Sequence, residues 1–296
     1  MPTPTELTPD LLRRMPLPRL EAGSKDERGR TLVVGGSVEV PGGVLLAANA
    51  VLRAGAGKVQ IATVASCAPG LALAIPEALV IGFPETPEGG LAAEPAIERL
   101  VPRIGRCDAV LVGPGMAQGD ATVALTEALL AGDEASFVLD AAALDGLPDR
   151  PETVRSCGGR VVMTPHAGEM AKLLGREREA IEDDPLAAGC EAADRFGAVV
   201  VMKGARTCIV APDGRAWSYA GGGVGLATSG SGDVLAGLVT GLIARGAPAA
   251  EAALWGVHLH GEAGRRLARS LGPVGFLARE LGAEVPRLLH ETGGEA

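Results

Sequence analysis

The sequence predicts an α/β chain built on a doubly wound, mainly parallel sheet, and three observations predict it. Short, nearly continuous apolar runs recur along the chain, as expected of strands covered on both faces. They alternate with Ala-rich stretches of helical composition. Several of the runs end on glycine or on a residue able to carry chemistry, which is where parallel α/β sheets bind ligands.

Taken in order, residues 1–24 read as a proline-rich N-terminal arm with one short helix signal, Thr8 as N-cap and Pro9 at the first helical position. A polar loop, Ser24 to Arg30, precedes the first strand, Thr31-Leu32-Val33-Val34, which stops at Gly35-Gly36-Ser37. Val44 to Ala54 is helical and stops at Gly55-Ala56-Gly57; Val59 to Val64 is the next strand. Further strands are expected at Ala78–Ile81, Ala109–Val112, Phe137–Leu139, Val161–Met163 and Val199–Met202. Thr207–Ala211 and Arg215–Tyr219 flank Pro212-Asp213-Gly214 and read as a hairpin, so antiparallel strands end the sheet. Val234 to Arg245 carries apolar residues at 234, 235, 238, 239, 242 and 243, the stripe of a helix packed on a core. Residues 249–270 are also helix-like. Pro84 to Pro95 reads as a surface loop, and 292–296 as a disordered tail. Without a linker or fixed-period repeat, 1–296 reads as a single domain.

Bulk composition narrows the partners. The 296 residues carry a net charge of −9 with no Lys/Arg block, which argues against nucleic acid or an anionic membrane. Aromatics are only 2%, so Ala, Val and Leu must build the core. Five scattered cysteines without a C-x-x-C pair read as reduced thiols, and no signal peptide or span-length apolar run occurs. A cytoplasmic location is expected.

The residues after each strand are the candidates for chemistry: Gly35-Gly36-Ser37, Gly113-Pro114-Gly115, Asp140, Thr164 to Glu169, and Lys203-Gly204. Asp233 sits at a helix entrance behind Gly230-Ser231-Gly232. Such an entrance offers unpaired N–H groups and the positive end of the macrodipole, an anion hole into which Gly230 and Gly232 admit a ligand closely. Asp233 then reads either as a carboxylate on its rim or as a helix cap. The dipole should lower its pKa. Neither G-x-x-x-x-G-K-[ST] nor a strand-to-helix G-x-G-x-x-G is present. His258 and His260 point about 200° apart on a helix, which favours packing or helix-surface roles over a metal site.

Gly230-Ser231-Gly232-Asp233 resembles the G-x-G-D signature of ribokinase-like small-molecule kinases. Seven ordered motifs are more specifically similar to the ADP/ATP-dependent NAD(P)H-hydrate dehydratases. They are Pro41-Gly42-Gly43, Ala54-Gly55-Ala56-Gly57, Val112-Gly113-Pro114-Gly115, Thr164-Pro165-His166-Ala167-Gly168-Glu169, Lys203-Gly204, Ala227 to Gly237, and His260-Gly261-Glu262-Ala263-Gly264. The resemblance spans about residues 25–270 and implies a three-layer ribokinase-like fold. It implies repair of the S hydrate of NADH or NADPH at the expense of ADP, in the bacterial type, or ATP, with Mg²⁺. It places Gly43, Gly115, His166 and Asp233 at the hydrate, Lys203, Gly204, Ala205, Arg206, Thr207 and Gly232 at the nucleotide, Asp233 as base, and Glu169 as metal helper. It further implies a homo-oligomer, a tetramer, working beside an epimerase, which many bacterial relatives carry as a fused N-terminal domain; the arm here is too short for one. Two departures stand out: Gly222-Gly223-Val224-Gly225-Leu226 replaces a Gly-Asn-Pro-Gly-Met pattern, predicting a more flexible loop, and Gly43 replaces Ala. The alternatives are a hydroxyethylthiazole- or pyridoxal-type kinase, and an inactive nucleotide-binding relative.

Overall fold

In the computed structural model, residues 2–18, 25–132 and 135–293 are described. The strands are β1 (Thr5–Glu6), β2 (Arg30–Val34), β3 (Lys58–Val64), β4 (Leu79–Phe83), β5 (Ala109–Val112), β6 (Ser136–Leu139), β7 (Val161–Met163), β8 (Val199–Met202), β9 (Thr207–Val210) and β10 (Ala216–Tyr219). They form one sheet in the order β1-β10-β9-β8-β7-β6-β5-β2-β3-β4. The β2-to-β8 neighbours and β3-to-β4 pair in parallel, and β9 alone runs against its neighbours β8 and β10. The hairpin expectation holds, yet the edge beyond it is again parallel. There β1, inside the segment read as an arm, pairs with β10. Its short helix α1 (Pro9–Arg13) is capped by the Thr8 hydroxyl as predicted. Leu12 is fully buried, and the Trp255 indole donates to the Met15 carbonyl at 2.8 Å, so the arm is packed into the fold.

Period-two alternation sends successive strand residues to opposite faces. Val33, Ile61, Leu111, Val138 and Val201 face one core, with helices α2 (Gly42–Arg53), α10 (Ser231–Ala244), α11 (Ala249–Ser270) and α12 (Ala278–Gly293). Leu32, Val34, Val110, Val112, Phe137 and Met163 face the other, with α4 (Ala93–Ile104), α5 (Asp120–Leu130), α7 (Ala167–Leu174) and α9 (Pro185–Phe196). The result is three layers. Short helices α3 (Ala68–Ala74), α6 (Pro151–Arg155) and α8 (Arg178–Asp183) complete the set. Three boundaries differ from the sequence reading. Helix α4 starts at Ala93, inside the expected Pro84–Pro95 loop, and α10 starts at Ser231, three residues early. Helix α12 extends to Gly293 with Thr292 buried, which corrects the disordered tail at those two positions; 294–296 lie outside the described residues, as do 19–24 of the arm.

Two features of this frame position a site. The chain winds outward over β2, β3 and β4, then returns through β5 to β8, so the topological switch falls between β2 and β5. Helices α2 and α10 pack closely and in parallel, because Gly237 and Gly241 have no side chain: a Cβ there would lie 2.3 Å from the Ala47 carbonyl oxygen and 2.6 Å from that of Val51. Their N-termini therefore open at the same end, the carboxyl end of the strands.

Candidate active site

Each expected strand-end residue lies on that edge, and the chemistry concentrates at one cluster. The Asp140 carboxylate, 3% exposed, follows β6; its Oδ1 accepts from the Thr164 hydroxyl at 2.7 Å and from Lys203 Nζ at 2.8 Å. Lys203 follows β8 and reaches Glu169 Oε2 at 3.7 Å. Burial alone would lower the Lys203 pKa, but Asp140, Glu169 and Asp233 outweigh it and hold the ammonium charged. The sequence placed Asp140 at a strand end without giving it a role. Its signal was a carboxylate straight after a fully apolar strand, and the backbone marks it too: Ala141, the next residue, has φ 49°, an uncommon conformation for a residue with a side chain.

Asp233 occupies the third helical position of α10. Its pKa is raised to about 6, against the expectation that the helix dipole would lower it. Burial is the largest cause; the neighbouring Asp140 and Glu169 charges add to it, and Lys203 opposes them. The dipole is a local effect of a fraction of a charge, whereas the fold brings two full carboxylates to the same point.

The entrance of α10 is open. Gly230, with φ 86°, is the N-cap and provides no side-chain bond, since a Cβ there would strike Leu46 at 2.4 Å. The Ser231 amide is used by the Thr228 carbonyl at 3.2 Å, whereas those of Gly232 and Asp233 have no acceptor among the described residues. A Cβ on Gly232 would meet only Lys203 Nζ, at 3.4 Å, so the missing side chain leaves a gap between free amides and an ammonium. Ser231 serves otherwise: its hydroxyl lies 2.9 Å, and its carbonyl 3.0 Å, from His260 Nε2. Burial lowers the His260 pKa to about 4, so the ring is neutral. The carbonyl can only accept, which requires the Nε2–H tautomer. His260 thus packs inward, as one of the two sequence readings held, but against the site. His258 is buried two residues earlier on the same helix.

His166 and Glu169 form a capping box on α7. Glu169 N–H donates to His166 Nδ1 at 3.2 Å, and His166 N–H donates to Glu169 Oε2 at 2.8 Å. Lys203 N–H donates to the Pro165 carbonyl at 2.8 Å, tying this loop to β8. Gly204, Ala205 and Arg206 form the exposed turn from Lys203 into β9, where Thr207 starts the strand. At the switch point, Gly43 and Gly115 lie backbone to backbone, a Cβ on Gly43 falling 2.7 Å from the Gly115 nitrogen. This explains why glycine stands at 43 and why Gly115, at φ 66° and with the Val40 carbonyl 2.3 Å from its own ideal Cβ, tolerates nothing larger. The glycine run 221–225 is packed at both ends and open in its middle, where Gly223 has nothing within 4 Å of an added Cβ and Val224 is exposed. A Cβ on Gly221 would meet the Tyr219 hydroxyl at 2.1 Å, and one on Gly225 the Phe276 ring at 2.3 Å.

An open helix entrance facing a half-buried lysine and an aspartate of raised pKa, at the carboxyl ends of the parallel strands, offers fixed donors to an anionic group. The chain belongs to the Carb_kinase family, described as NAD(P)H-hydrate dehydratase, whose pattern matches residues 31–287. It is 48% identical over 283 residues to the ADP-dependent (S)-NAD(P)H-hydrate dehydratase of Xanthomonas campestris, covering 96% of this chain and 95% of that one. It is 40% identical to a bifunctional NAD(P)H-hydrate repair enzyme of Moorella thermoacetica, covering 95% of this chain and 53% of that longer protein. The structure of the ADP/ATP-dependent NAD(P)H-hydrate dehydratase of Bacillus subtilis, co-crystallised with ATP/Mg²⁺, superposes with a TM-score of 0.83 at 26% identity, over 97% of this chain and 98% of that one.

Proposed function

We propose that this protein is an ADP-dependent (S)-NAD(P)H-hydrate dehydratase, and the observation that carries the chemistry is Asp233 beside Lys203 at the open entrance of α10. A terminal phosphoryl group held on the Gly232 and Asp233 amides and on Lys203 has its charge neutralised by donors that need no reorganisation. The hydroxyl oxygen of the hydrate attacks phosphorus, its proton passes to the Asp233 carboxylate, and AMP leaves. The phosphorylated hydrate then loses phosphate from one carbon and a proton from its neighbour, restoring the nicotinamide double bond. A carboxylate of pKa about 6 is mostly ionised at pH 7 and accepts a proton more readily than an ordinary aspartate.

Gly43, Gly115 and His166 line the hydrate side in this reading, and Lys203 to Thr207 with Gly232 hold the nucleotide. Mg²⁺ fits as an ion carried by the nucleotide: among the described residues no group of three His, Cys, Asp or Glu is spaced to hold a metal. That agrees with the habit of Mg²⁺ to bind through one or two carboxylates plus phosphates. In this reading Glu169 is the protein group that would meet it; its Oε2 is used by the cap and its Oε1 is turned to the His166 ring at 3.4 Å. Bound there, the ion would neutralise phosphate charge. Lys203 meanwhile stays anchored by Asp140, which keeps its ammonium aimed at the gap over Gly232.

Pairing with an epimerase, a homotetrameric assembly and a cytoplasmic location belong to the same proposal; among the described residues no helix is long and apolar enough to cross a membrane. The test is absorbance of reduced nicotinamide recovered from the S hydrate with ADP and with ATP, each with Mg²⁺. Recovery with ADP is expected. Phosphorylation of a vitamin-precursor alcohol with the hydrate untouched would establish a kinase instead, and nucleotide binding without any turnover an inactive relative.

A further inference from the structure

We infer that a cavity at the opposite end of the sheet binds a small, multiply phosphorylated molecule. The cavity, about 730 Å³, opens at the amino ends of β2, β3 and β4 and is lined by Lys25, Arg30, Lys58, Arg99, Arg103 and Arg106, with Glu77 as its one carboxylate. A chain of net charge −9 that gathers six cations around one hollow has built a local positive field against its overall charge. The volume is that of a small-molecule site.

Arg99 and Arg103 are held by neutral partners that leave their charge available. Arg103 Nη1 donates to the neutral Gln60 Oε1 at 3.2 Å, and the Arg99 guanidinium lies 5.1 Å from the centre of the Phe83 ring. Arg30 and Lys58 share a single carboxylate, Asp26. Arg99 and Arg103 stand four residues apart on α4, a like-charge spacing that costs a helix stability. The negative helix end offsets this for Arg103 in the last turn, but Arg99 lies beyond its reach and Arg106 follows the C-cap Gly105. With only the neutral Gln60 oxygen and the single Glu77 carboxylate on that face, the repulsion points to an external acceptor. Four of the six cations are arginines, whose planar fork matches phosphate oxygens in pairs. Leu79, 53% exposed and apolar on the same rim, gives the non-phosphate part of a ligand a surface to rest on. A long nucleic acid is disfavoured, because the chain as a whole carries a net charge of −9 and these six cations are confined to a patch of this size. Strand β2 separates this cavity from the catalytic edge by about 15 Å, so one ligand does not fill both.

The test is calorimetric titration of the full chain with inorganic tripolyphosphate at low salt. Wild type and Lys203→Met, which removes the cation of the catalytic edge, should share a binding event that Arg99→Ala/Arg106→Ala weakens at least tenfold, while that double variant keeps wild-type nucleotide-dependent turnover. The reading is overturned if the double variant binds as wild type does, if Lys203→Met abolishes all binding, if sulfate of equal ionic strength competes equally well, or if a single-stranded RNA oligomer binds more tightly. Should the double variant fail to fold, Arg106→Glu at the exposed position gives the same discrimination. The readout is binding, so it stands whether or not the hydrate is turned over.

Discussion

Helices α7 and α10 open on the same edge of one sheet and treat their first-turn amides in opposite ways. The entrance of α7 is closed by its own side chains, since His166 and Glu169 satisfy each other's backbone N–H groups. The entrance of α10 begins with a glycine that caps nothing, and the amides of Gly232 and Asp233 remain free. A cap is worth about 1 kcal/mol, so α10 forgoes stabilisation that α7 takes. The difference teaches where an anion can bind: a helix N-terminus becomes a site when its donors are left unused and a cation faces them, as Lys203 does over Gly232, whereas at α7 the same ammonium meets a Glu169 oxygen that already serves the cap. It also assigns the two acids distinct work, Asp233 standing free at the open mouth and Glu169 bracing the closed one.

The largest effect should come from removing the carboxylate at the open entrance. Asp233→Asn is expected to lower kcat by roughly 10²- to 10⁴-fold while nucleotide binding persists, measured by single-turnover kinetics and calorimetry. The same variant should be more stable at pH 7. A carboxyl whose folded pKa is raised above its unfolded value penalises the fold above the folded pKa, and the penalty vanishes below the unfolded one. With a folded value of about 6, the gain should be roughly 2 kcal/mol at pH 7 after allowance for screening and should fade as pH falls towards 4. Thermal melts across that range check the sign; a loss of stability at pH 7 would show that Asp233 is mainly a cap.

Next in size is closing the α10 mouth. Gly232→Val places branched carbon where only Lys203 Nζ now lies within reach, and ADP affinity should fall by more than about tenfold, or 1.4 kcal/mol, with little change in melting temperature. Equal affinity would mean that the phosphoryl group sits elsewhere. The pH profile sharpens the same contrast. In wild type, kcat/KM should fall as pH drops through about 6, where Asp233 takes up its proton. Lys203→Met removes the one charge that lowers this pKa, so the acid limb should move to higher pH, and the melting temperature should drop because buried Asp140 loses its partner. A limb that stays in place would separate Asp233 from the ionisation that controls turnover.

The contrast between the helices was only partly legible in the sequence. The parallel strands were, because burial on both faces leaves apolar runs that propensity and glycine punctuation delimit well. The two-residue strand β1 was not: its strand character comes from the β10 edge it pairs with, not from Thr5-Glu6 in a proline-rich segment. Asp233 at a helix entrance followed from period and glycines, but the direction of its pKa shift depended on Asp140 and Glu169, delivered from 93 and 64 residues away by the folding of the sheet. The glycine run 221–225 reads as slack because composition shows freedom and hides contact; Tyr219 and Phe276 fill the space beside Gly221 and Gly225, while Gly223 and Val224 between them stay open. His260 could be placed on a helix by period alone, while its contact with Ser231 crosses between two helices and has no local signal.

The smallest expected effect tests the closed entrance. Glu169→Gln keeps the size of the side chain and one oxygen for the His166 amide, but removes a charge from the first turn of α7 and from the surroundings of Lys203. Stability should fall by about 0.5–1 kcal/mol, the worth of an acidic group at a helix start. The Mg²⁺ concentration giving half-maximal turnover should rise by roughly tenfold, since a carboxylate oxygen binds a hard cation better than an amide oxygen. Loss of stability with unchanged Mg²⁺ dependence would make Glu169 a brace alone and leave the ion wholly to the nucleotide. A collapse of turnover as deep as that of Asp233→Asn would erase the distinction between the two helices, because it would put the reacting groups at the entrance that the capping box closes.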